Sequence, residues 1–139
     1  MELTANTLQT VEVNQNVLFT DVAVRGNNSI LHRGGSGLVT LRGITCHCRA
    51  RFRVFFSANI AVPTGETVGP ISLAIAINGE PVASTTMIST PAAGEEFNNV
   101  ASAVYIDVPA DCCSQISIRN VSEIPVNVQN ANLIIERVA

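Results

Sequence analysis

Short runs of β-branched and other apolar residues recur along the whole chain, separated by clusters of Gly, Pro, Asn and Asp. Some runs alternate apolar with polar residues and others are continuously apolar, while helical periodicity is nearly absent. Such spacing is typical of an antiparallel sandwich or barrel. The pattern predicts an all-β domain with strands near residues 17–24, 29–33, 38–42, 50–62, 71–78, 82–89, 100–108, 115–120 and 126–138.

The segments between these runs contain residues suited to chain reversal. Asn78-Gly79 is the strongest hairpin signal, because a two-residue primed turn requires positive φ at both central positions. Glycine and asparagine clusters at 25–28 and 34–37 predict further reversals. Longer loops are expected at 63–70 and 91–99, so the strands are joined without helices.

Two predicted strands carry apolar side chains on both faces. Alternation places Phe52, Val54 and Phe56 on one face of their strand and Phe55 on the other, and the last strand has the same property. Either loops cover the second face, or that face is a symmetric subunit interface, which the low charge content favours. The candidate subunit-interface residues are Phe52, Val54, Phe55, Phe56, Tyr105, Leu133, Ile134 and Ile135.

The composition supports an oligomer. Charged residues make up 14% of the 139 residues and apolar residues 47%, whereas about 25% charged is usual for a globular domain. A single domain of this length is expected, and it has few charged residues with which to cover its surface. Burial between identical copies is the simplest remedy, so a homo-oligomer is predicted.

The distribution of charge excludes two classes of partner. The net charge is −3 and lysine is absent, so the basic footprint of a nucleic-acid-binding protein is missing. Arg49, Arg51 and Arg53 alternate, and we interpret them as a solvated or partner-facing stripe on one strand face. No run approaches the roughly 18 apolar residues of a membrane span, and no classical signal peptide is evident. We expect no nucleic-acid and no membrane partner.

Three parts of the chain carry a family resemblance. Segment 71–82 contains the Asn-Gly hairpin, segment 104–111 ends a strand in a turn before the strand at 115–120, and segment 131–138 closes as Leu-x-Ile-x-x-Val. Here the chain resembles the compact jelly roll of the C1q and tumour-necrosis-factor superfamily. The resemblance implies a two-sheet antiparallel jelly-roll sandwich at 16–139, with residues 1–15 as a mobile N-terminal arm. It also implies a homotrimer around a threefold axis.

Four cysteines, Cys46, Cys48, Cys112 and Cys113, are the chemically distinctive residues. The resemblance implies that both pairs lie in connections at one end of the sandwich. Disulfides between the pairs, within or between subunits, are the favoured interpretation. A structural metal site is less favoured, because zinc motifs place two to four residues between paired cysteines. Free thiols acting as small apolar side chains are the third alternative.

The remaining candidate residues indicate no catalytic, cofactor or metal site. On an extended segment His47 points away from the cysteines beside it, so a nucleophile activated by histidine is not expected. His32 is interpreted as a polar strand residue or a hydrogen-bonding residue at a trimer axis. Glu95-Glu96 is interpreted as a solvated loop tip, because calcium requires six to eight converging oxygens. We expect a protein that is not an enzyme and binds no cofactor.

The resemblance also implies a biological setting. Small C1q-like proteins of this kind look like products of Firmicutes and their prophages, including virion surface proteins and the tips of spore fibres. We therefore expect a structural or display protein of a phage particle, decorating the capsid or forming a head or tail fibre module. Its expected location is the virion or an extracellular surface, and its expected partners are itself and other virion or surface-layer proteins. A surface or spore-fibre module cross-linked through cysteines and a receptor- or glycan-binding tip are the alternatives.

Overall fold

Two six-stranded antiparallel sheets packed face to face form the computed structural model, which describes all 139 residues. One 3-10 turn, Ala83–Thr85, is present, and no helix is long and apolar enough to cross a membrane. The prediction of an all-β, two-sheet antiparallel jelly-roll sandwich is confirmed. The strands are β1 (Glu2–Ala5), β2 (Gln9–Val11), β3 (Asp21–Val24), β4 (Ile30–His32), β5 (Val39–Arg42), β6 (Arg49–Ala61), β7 (Ile71–Ile77), β8 (Glu80–Pro81), β9 (Met87–Ser89), β10 (Asn98–Pro109), β11 (Cys113–Asn120) and β12 (Val126–Arg137).

The order of strands brings distant connections together. Sheet 1 has the order β10-β6-β12-β1-β3, with β2 paired to the first part of β12. Sheet 2 has the order β4-β5-β11-β7-β8, with β9 paired to the first part of β7. Because β5 neighbours β11 and β6 neighbours β10, the β5–β6 and β10–β11 connections cross between the sheets side by side. They lie at the same end of the sandwich.

Alternation along the strands builds the core between the sheets. Every second residue of β6 from Ala50 to Ile60 is buried, and the same alternation occurs in β12 from Ala131 to Ile135. Phe56 meets Phe19 edge to face, with ring centroids 6.3 Å apart and an interplanar angle of 82°. Asn78 and Gly79 have φ angles of 51° and 85° and join β7 to β8, as the hairpin prediction requires.

The prediction of a mobile arm at residues 1–15 is wrong. Strand β1 lies inside sheet 1, where it pairs with β12 on one side and β3 on the other. Leu3, Ala5 and Val11 are buried in the core, and Leu3 is fully inaccessible. The segment alternates in polarity over only a few residues, which is too short a pattern to be distinguished from an extended tail.

Residues 82–89 were predicted as one strand, but only Met87–Ser89 is a strand. The hydroxyl of the buried Thr85 explains the interruption. It accepts a hydrogen bond from the Ile75 amide at 2.9 Å and donates to the Val82 carbonyl oxygen at 2.7 Å. This side chain thus occupies β7 backbone groups that a continuous strand would pair, and the chain turns between β8 and β9.

Candidate functional site

Five of the eight residues predicted at a trimer interface lie instead inside a single chain. These five side chains point into the sandwich and are fully buried there: Phe52, Val54, Phe56, Leu133 and Ile135. They cannot contact another subunit, so this part of the prediction is wrong. The sequence pattern showed apolar residues on both faces of β6 and β12. The local signal for the outer face of β6 was the arginine stripe, which shares the face of Phe55.

The other three predicted residues, Phe55, Tyr105 and Ile134, face outwards on sheet 1. Phe55 in β6 has Ala103 of β10 as its cross-strand partner on one side and Ile134 of β12 on the other. Tyr105 is 64% exposed. Together with the exposed Ala101 they form one apolar surface, named here the outer patch: Phe55, Ala101, Ala103, Tyr105 and Ile134.

Ion pairs flank the outer patch on the side towards the start of β6. Arg51 is the cross-strand partner of Asp107 and binds it through two nitrogens, Nε to Oδ1 at 2.7 Å and Nη2 to Oδ2 at 3.1 Å. The Arg49 Nε lies 3.1 Å from the Asp107 Oδ2, and the Arg53 Nη1 lies 3.0 Å from the Glu136 Oε1. The predicted arginine stripe is therefore present on this face, where two carboxylates neutralise most of its charge.

The two hydrogen bonds from Arg51 to Asp107 shift the pKa values of both side chains. Its side-chain hydrogen bonds hold the pKa of Asp107 below the ordinary value, and the charges of Arg51 and Arg49 act in the same direction. The pKa of Arg51 is raised by the same hydrogen bonds. Both groups remain charged throughout the neutral range, so Arg51 requires no counter-charge from a partner molecule. Because the pair is exposed to solvent, it contributes little to the stability of the fold.

The opposite side of the outer patch is lined by uncharged amides. Asn99 donates from Nδ2 to the Asn59 Oδ1 at 3.2 Å, and Asn59 donates to the Asn130 Oδ1 at 3.4 Å. The outer face of sheet 1 is therefore apolar at its centre and polar on both flanks, where these asparagine side chains are hydrogen-bonded to one another. The apolar centre can therefore be buried while the charged groups on the flank stay hydrated.

The cysteines occupy the end of the sandwich where two connections cross. Residues 43–48 lead from β5 to β6, and residues 110–112 lead from β10 to β11. These two connections are called the crossings below. Backbone hydrogen bonds join the crossings at both ends. The Gly43 amide donates to the Cys112 carbonyl oxygen at 2.8 Å, and the Ala110 amide donates to the Cys48 carbonyl oxygen at 3.0 Å. The fold thus brings together cysteine pairs that are distant in sequence.

All four cysteines are exposed, and none is bonded to another in the structure. An open cavity of about 560 Å³ is bordered by Cys46, Cys112 and Cys113, and an adjoining one of about 690 Å³ by Cys46 and Cys48. No group of three or more His, Cys, Asp or Glu side chains converges as metal ligands would. The predicted disulfides stay a prediction.

Neither histidine belongs to a nucleophile–base pair in this arrangement. His47 borders the second cavity beside Cys46 and Cys48, and its backbone amide donates to the Thr45 Oγ1 at 3.1 Å. His32 lies in β4, with its Nε2 2.9 Å from the Ser36 carbonyl oxygen. His32 is therefore a polar strand residue that ties β4 to the following turn.

The residue that sequence reasoning missed at this end is Gly43. A Cβ added there would lie 2.1 Å from the carbonyl oxygen of Pro109, so only glycine allows the two crossings to approach this closely. The available signal was an isolated glycine directly after a strand, in Arg42-Gly43-Ile44, which often marks a close approach of backbones.

The turn opposite Gly43 contains a left-handed residue. Asp111 has a φ of 62°, and the turn is closed by the Cys112 amide donating to the Pro109 carbonyl oxygen at 3.1 Å. The Asp111 amide donates to the Gly43 carbonyl oxygen at 3.0 Å. Asp111 and Cys112 together therefore oppose the single residue Gly43, which is a bulge whose first residue is normally glycine.

We expect Asp111→Val to lower the free energy of unfolding by about 1–2 kcal/mol, because a β-branched residue is strained at positive φ. Asp111→Gly is the matched control, since glycine adopts this conformation without strain. It should be as stable as the original chain to within about 0.5 kcal/mol. Urea denaturation midpoints measure both variants. Equal losses in the two would show that the Asp111 carboxylate, and not the backbone angle, matters here.

Solved structures share this fold. The globular domain of zebrafish complement 1qA protein superposes with a TM-score of 0.70 and 14% identity, covering 99% of this chain and 95% of that one. Murine APRIL superposes with a TM-score of 0.64 and 8% identity, covering 97% of each chain. No protein-family model matches the sequence, and no curated protein matches it. The chain therefore has a C1q/TNF-like jelly-roll fold.

Proposed function

We propose that this chain is a non-enzymatic structural module that assembles as a homotrimer through the outer patch of sheet 1. The observation that carries the proposal is the composition of that face. Phe55, Ala103 and Ile134 form a continuous apolar row across three strands, and the guanidinium and carboxylate groups beside it neutralise one another. A face of this kind gains from burial against a copy of itself.

The low charge content supports assembly for the same reason. Charged residues are 14% of the chain, and several of them form pairs with each other on the outer face of sheet 1. Burying that face removes exposed apolar area while leaving the charged flank at the rim, where hydration is retained. The C1q-like resemblance of the sequence implies that the symmetry is threefold and not twofold.

A charge at the centre of the outer patch tests the assembly. In the free chain Ala103 is exposed on the edge strand β10, so Ala103→Glu should leave the subunit folded. In the trimer it would bury a carboxylate at every interface, and we expect dissociation to be favoured at least about 100-fold, or roughly 3 kcal/mol. Native mass spectrometry across micromolar concentrations measures the populations of monomer and trimer.

Ile88→Glu is the matched control. Ile88 is 67% exposed and lies in β9 of sheet 2, away from the outer patch. This variant should give three times the chain mass, as the unmodified protein should, whereas Ala103→Glu should give a monomer. A monomeric unmodified chain at tens of micromolar would refute the proposal, as would an Ala103→Glu variant that remains trimeric.

The proposed setting is a phage particle, where the module would decorate the capsid or form part of a head or tail fibre. This placement rests on the resemblance of the sequence to C1q-like proteins of Firmicutes and their prophages. Immunogold labelling of purified particles and of the host cells tests it. Label on the particles supports the virion role, and label confined to the cell wall or spore supports the surface-module alternative.

The surface-module alternative is favoured by one observation, the exposure of all four thiols in the free chain. In that role intermolecular disulfides would cross-link subunits into a resistant layer. Electrophoresis in SDS distinguishes it, because multimers that collapse only after addition of a reductant require covalent links between chains. A trimer held by the outer patch alone runs as a monomer in SDS with or without reductant.

A further inference from the structure

The cysteine end of the sandwich brings Cys46 to the neighbouring crossing. Cys46 lies in the middle of the segment that links β5 to β6, and it borders both cavities at this end. Cys112 lies in the adjacent crossing and borders the first cavity with it. Both side chains are exposed, so an oxidant in solution reaches them.

Two backbone hydrogen bonds hold the crossings next to each other. The Cys46 segment is fixed at one end by the Gly43–Cys112 hydrogen bond of 2.8 Å, and at the other by the Ala110–Cys48 hydrogen bond of 3.0 Å. Cys112 is hydrogen-bonded to Gly43, so Cys46 lies in the short loop between the two contacts, no more than three residues from either. A disulfide requires Cα atoms about 4.4–6.8 Å apart, which a small movement of this exposed loop can provide.

Cys48 and Cys113 are placed less favourably for a bond with the opposite crossing. Cys113 is the first residue of β11, and its cross-strand partner is Arg42. Because the neighbouring Leu41 points into the core, Arg42 and Cys113 point to the outer face of sheet 2. Cys48 borders only the second cavity, next to Arg49 at the start of sheet 1. Cys113 borders the first cavity with Cys46 as Cys112 does, but it is held in the β11 ladder, whereas Cys112 lies in the crossing itself. Cys112 is therefore the partner that we assign to Cys46.

We propose that Cys46 and Cys112 form a reversible disulfide that locks the two crossings together, formed by exchange with a small-molecule disulfide such as oxidised glutathione. One thiolate attacks glutathione disulfide and releases one reduced glutathione. The second thiolate then attacks the mixed disulfide and releases another. The two protein sulfurs lose two electrons and two protons in total, and the two glutathione molecules receive them as thiols.

The bond forms within one chain and does not depend on assembly as a trimer. It closes a loop of about 65 residues, and the denatured chain therefore loses conformational freedom. The oxidised protein should unfold about 10 °C higher than the reduced protein, with the trimer population unchanged.

Two double variants test the pairing. Cys48→Ser/Cys113→Ser keeps the proposed pair, and Cys46→Ser/Cys112→Ser removes it, with serine replacing an exposed thiol in every case. Each is incubated with excess oxidised glutathione, then analysed by intact mass and by peptide mapping without reduction. We expect the first variant to lose about 2 Da and to yield a Cys46–Cys112 cross-linked peptide. Its unfolding midpoint should rise, and the second variant should show no such rise.

Several results would overturn the proposal. The unmodified chain is treated in the same way. A Cys46–Cys113 link in it would show that the crossings meet through another pair, and a Cys112–Cys113 or Cys46–Cys48 link would show that the bond forms within one crossing. Dimers linked by disulfides would support cross-linking between subunits instead. Four free or glutathionylated thiols after incubation would show that no pair is within bonding distance. Each outcome is read from the same peptide map, independently of the native mass that tests the trimer.

Discussion

Phe56→Ala is expected to lower the free energy of unfolding by about 3–5 kcal/mol, the usual loss when a buried phenylalanine is truncated. Phe56 is fully inaccessible in β6, and its ring packs edge to face against Phe19 at a centroid distance of 6.3 Å. Removing it deletes that contact and leaves a cavity at the centre of the sandwich. For a domain whose total stability is about 5–15 kcal/mol, this loss is large.

The neighbouring residue provides the control. Phe55 is part of the outer patch and only partly buried in the free chain, so Phe55→Ala should cost the subunit much less. Its effect should appear in the trimer population instead. Urea denaturation under conditions where the chain is monomeric, combined with native mass spectrometry, separates the two effects. Equal losses of subunit stability in both variants would contradict the assignment of inner and outer faces.

The contrast between these neighbours shows what the sequence could predict about this fold. Alternation in β6 and β12 was enough to predict strands, because a period of two is encoded in adjacent residues. It was not enough to orient them, since Phe55 and Phe56 are chemically equivalent. The ion pairs supply the missing information. Arg51 and Arg53 share the face of Phe55, and their carboxylate partners lie on β10 and β12.

The N-terminal segment illustrates a different limit. The segment Glu2–Ala5 becomes an internal strand only because β12 and β3 offer hydrogen-bonding edges on both sides. Its four residues carry a weak pattern, and the contacts that stabilise it come from the other end of the chain. Ile135, for example, donates its amide to the Met1 carbonyl oxygen at 2.8 Å. Pairing of this kind depends on the completed sheet, so the local sequence predicts it poorly.

At the cysteine end of the sandwich, one feature could be predicted from the sequence and another could not. The two cysteine pairs could be assigned to one end of the sandwich from the resemblance, because jelly-roll connectivity fixes which connections are neighbours. Gly43, the residue that permits their close approach, was not predicted, because an isolated glycine after a strand is only a weak signal. Gly43 is required by the carbonyl oxygen of Pro109, which is distant in sequence, and nothing adjacent to Gly43 encodes that contact.

Gly43→Ala is accordingly expected to lower the free energy of unfolding by about 2–4 kcal/mol, through steric overlap and loss of backbone hydrogen bonds. The added Cβ would lie 2.1 Å from the Pro109 carbonyl oxygen, so the crossings must separate. Separation breaks the hydrogen bonds that join Gly43 to Asp111 and Cys112. Urea denaturation of the reduced protein measures the loss without any contribution from a disulfide.

Gly34→Ala is the matched control, because a Cβ at Gly34 meets no atom within 4 Å. It should change the free energy of unfolding by no more than about 0.5 kcal/mol. If Gly43→Ala were equally mild, the crossings would not be in contact as described. The Gly43→Ala chain also keeps all four cysteines, yet with the crossings forced apart it should no longer form the Cys46–Cys112 bond in oxidised glutathione. The proposed Cys46–Cys112 bond therefore depends on a residue that has no side chain.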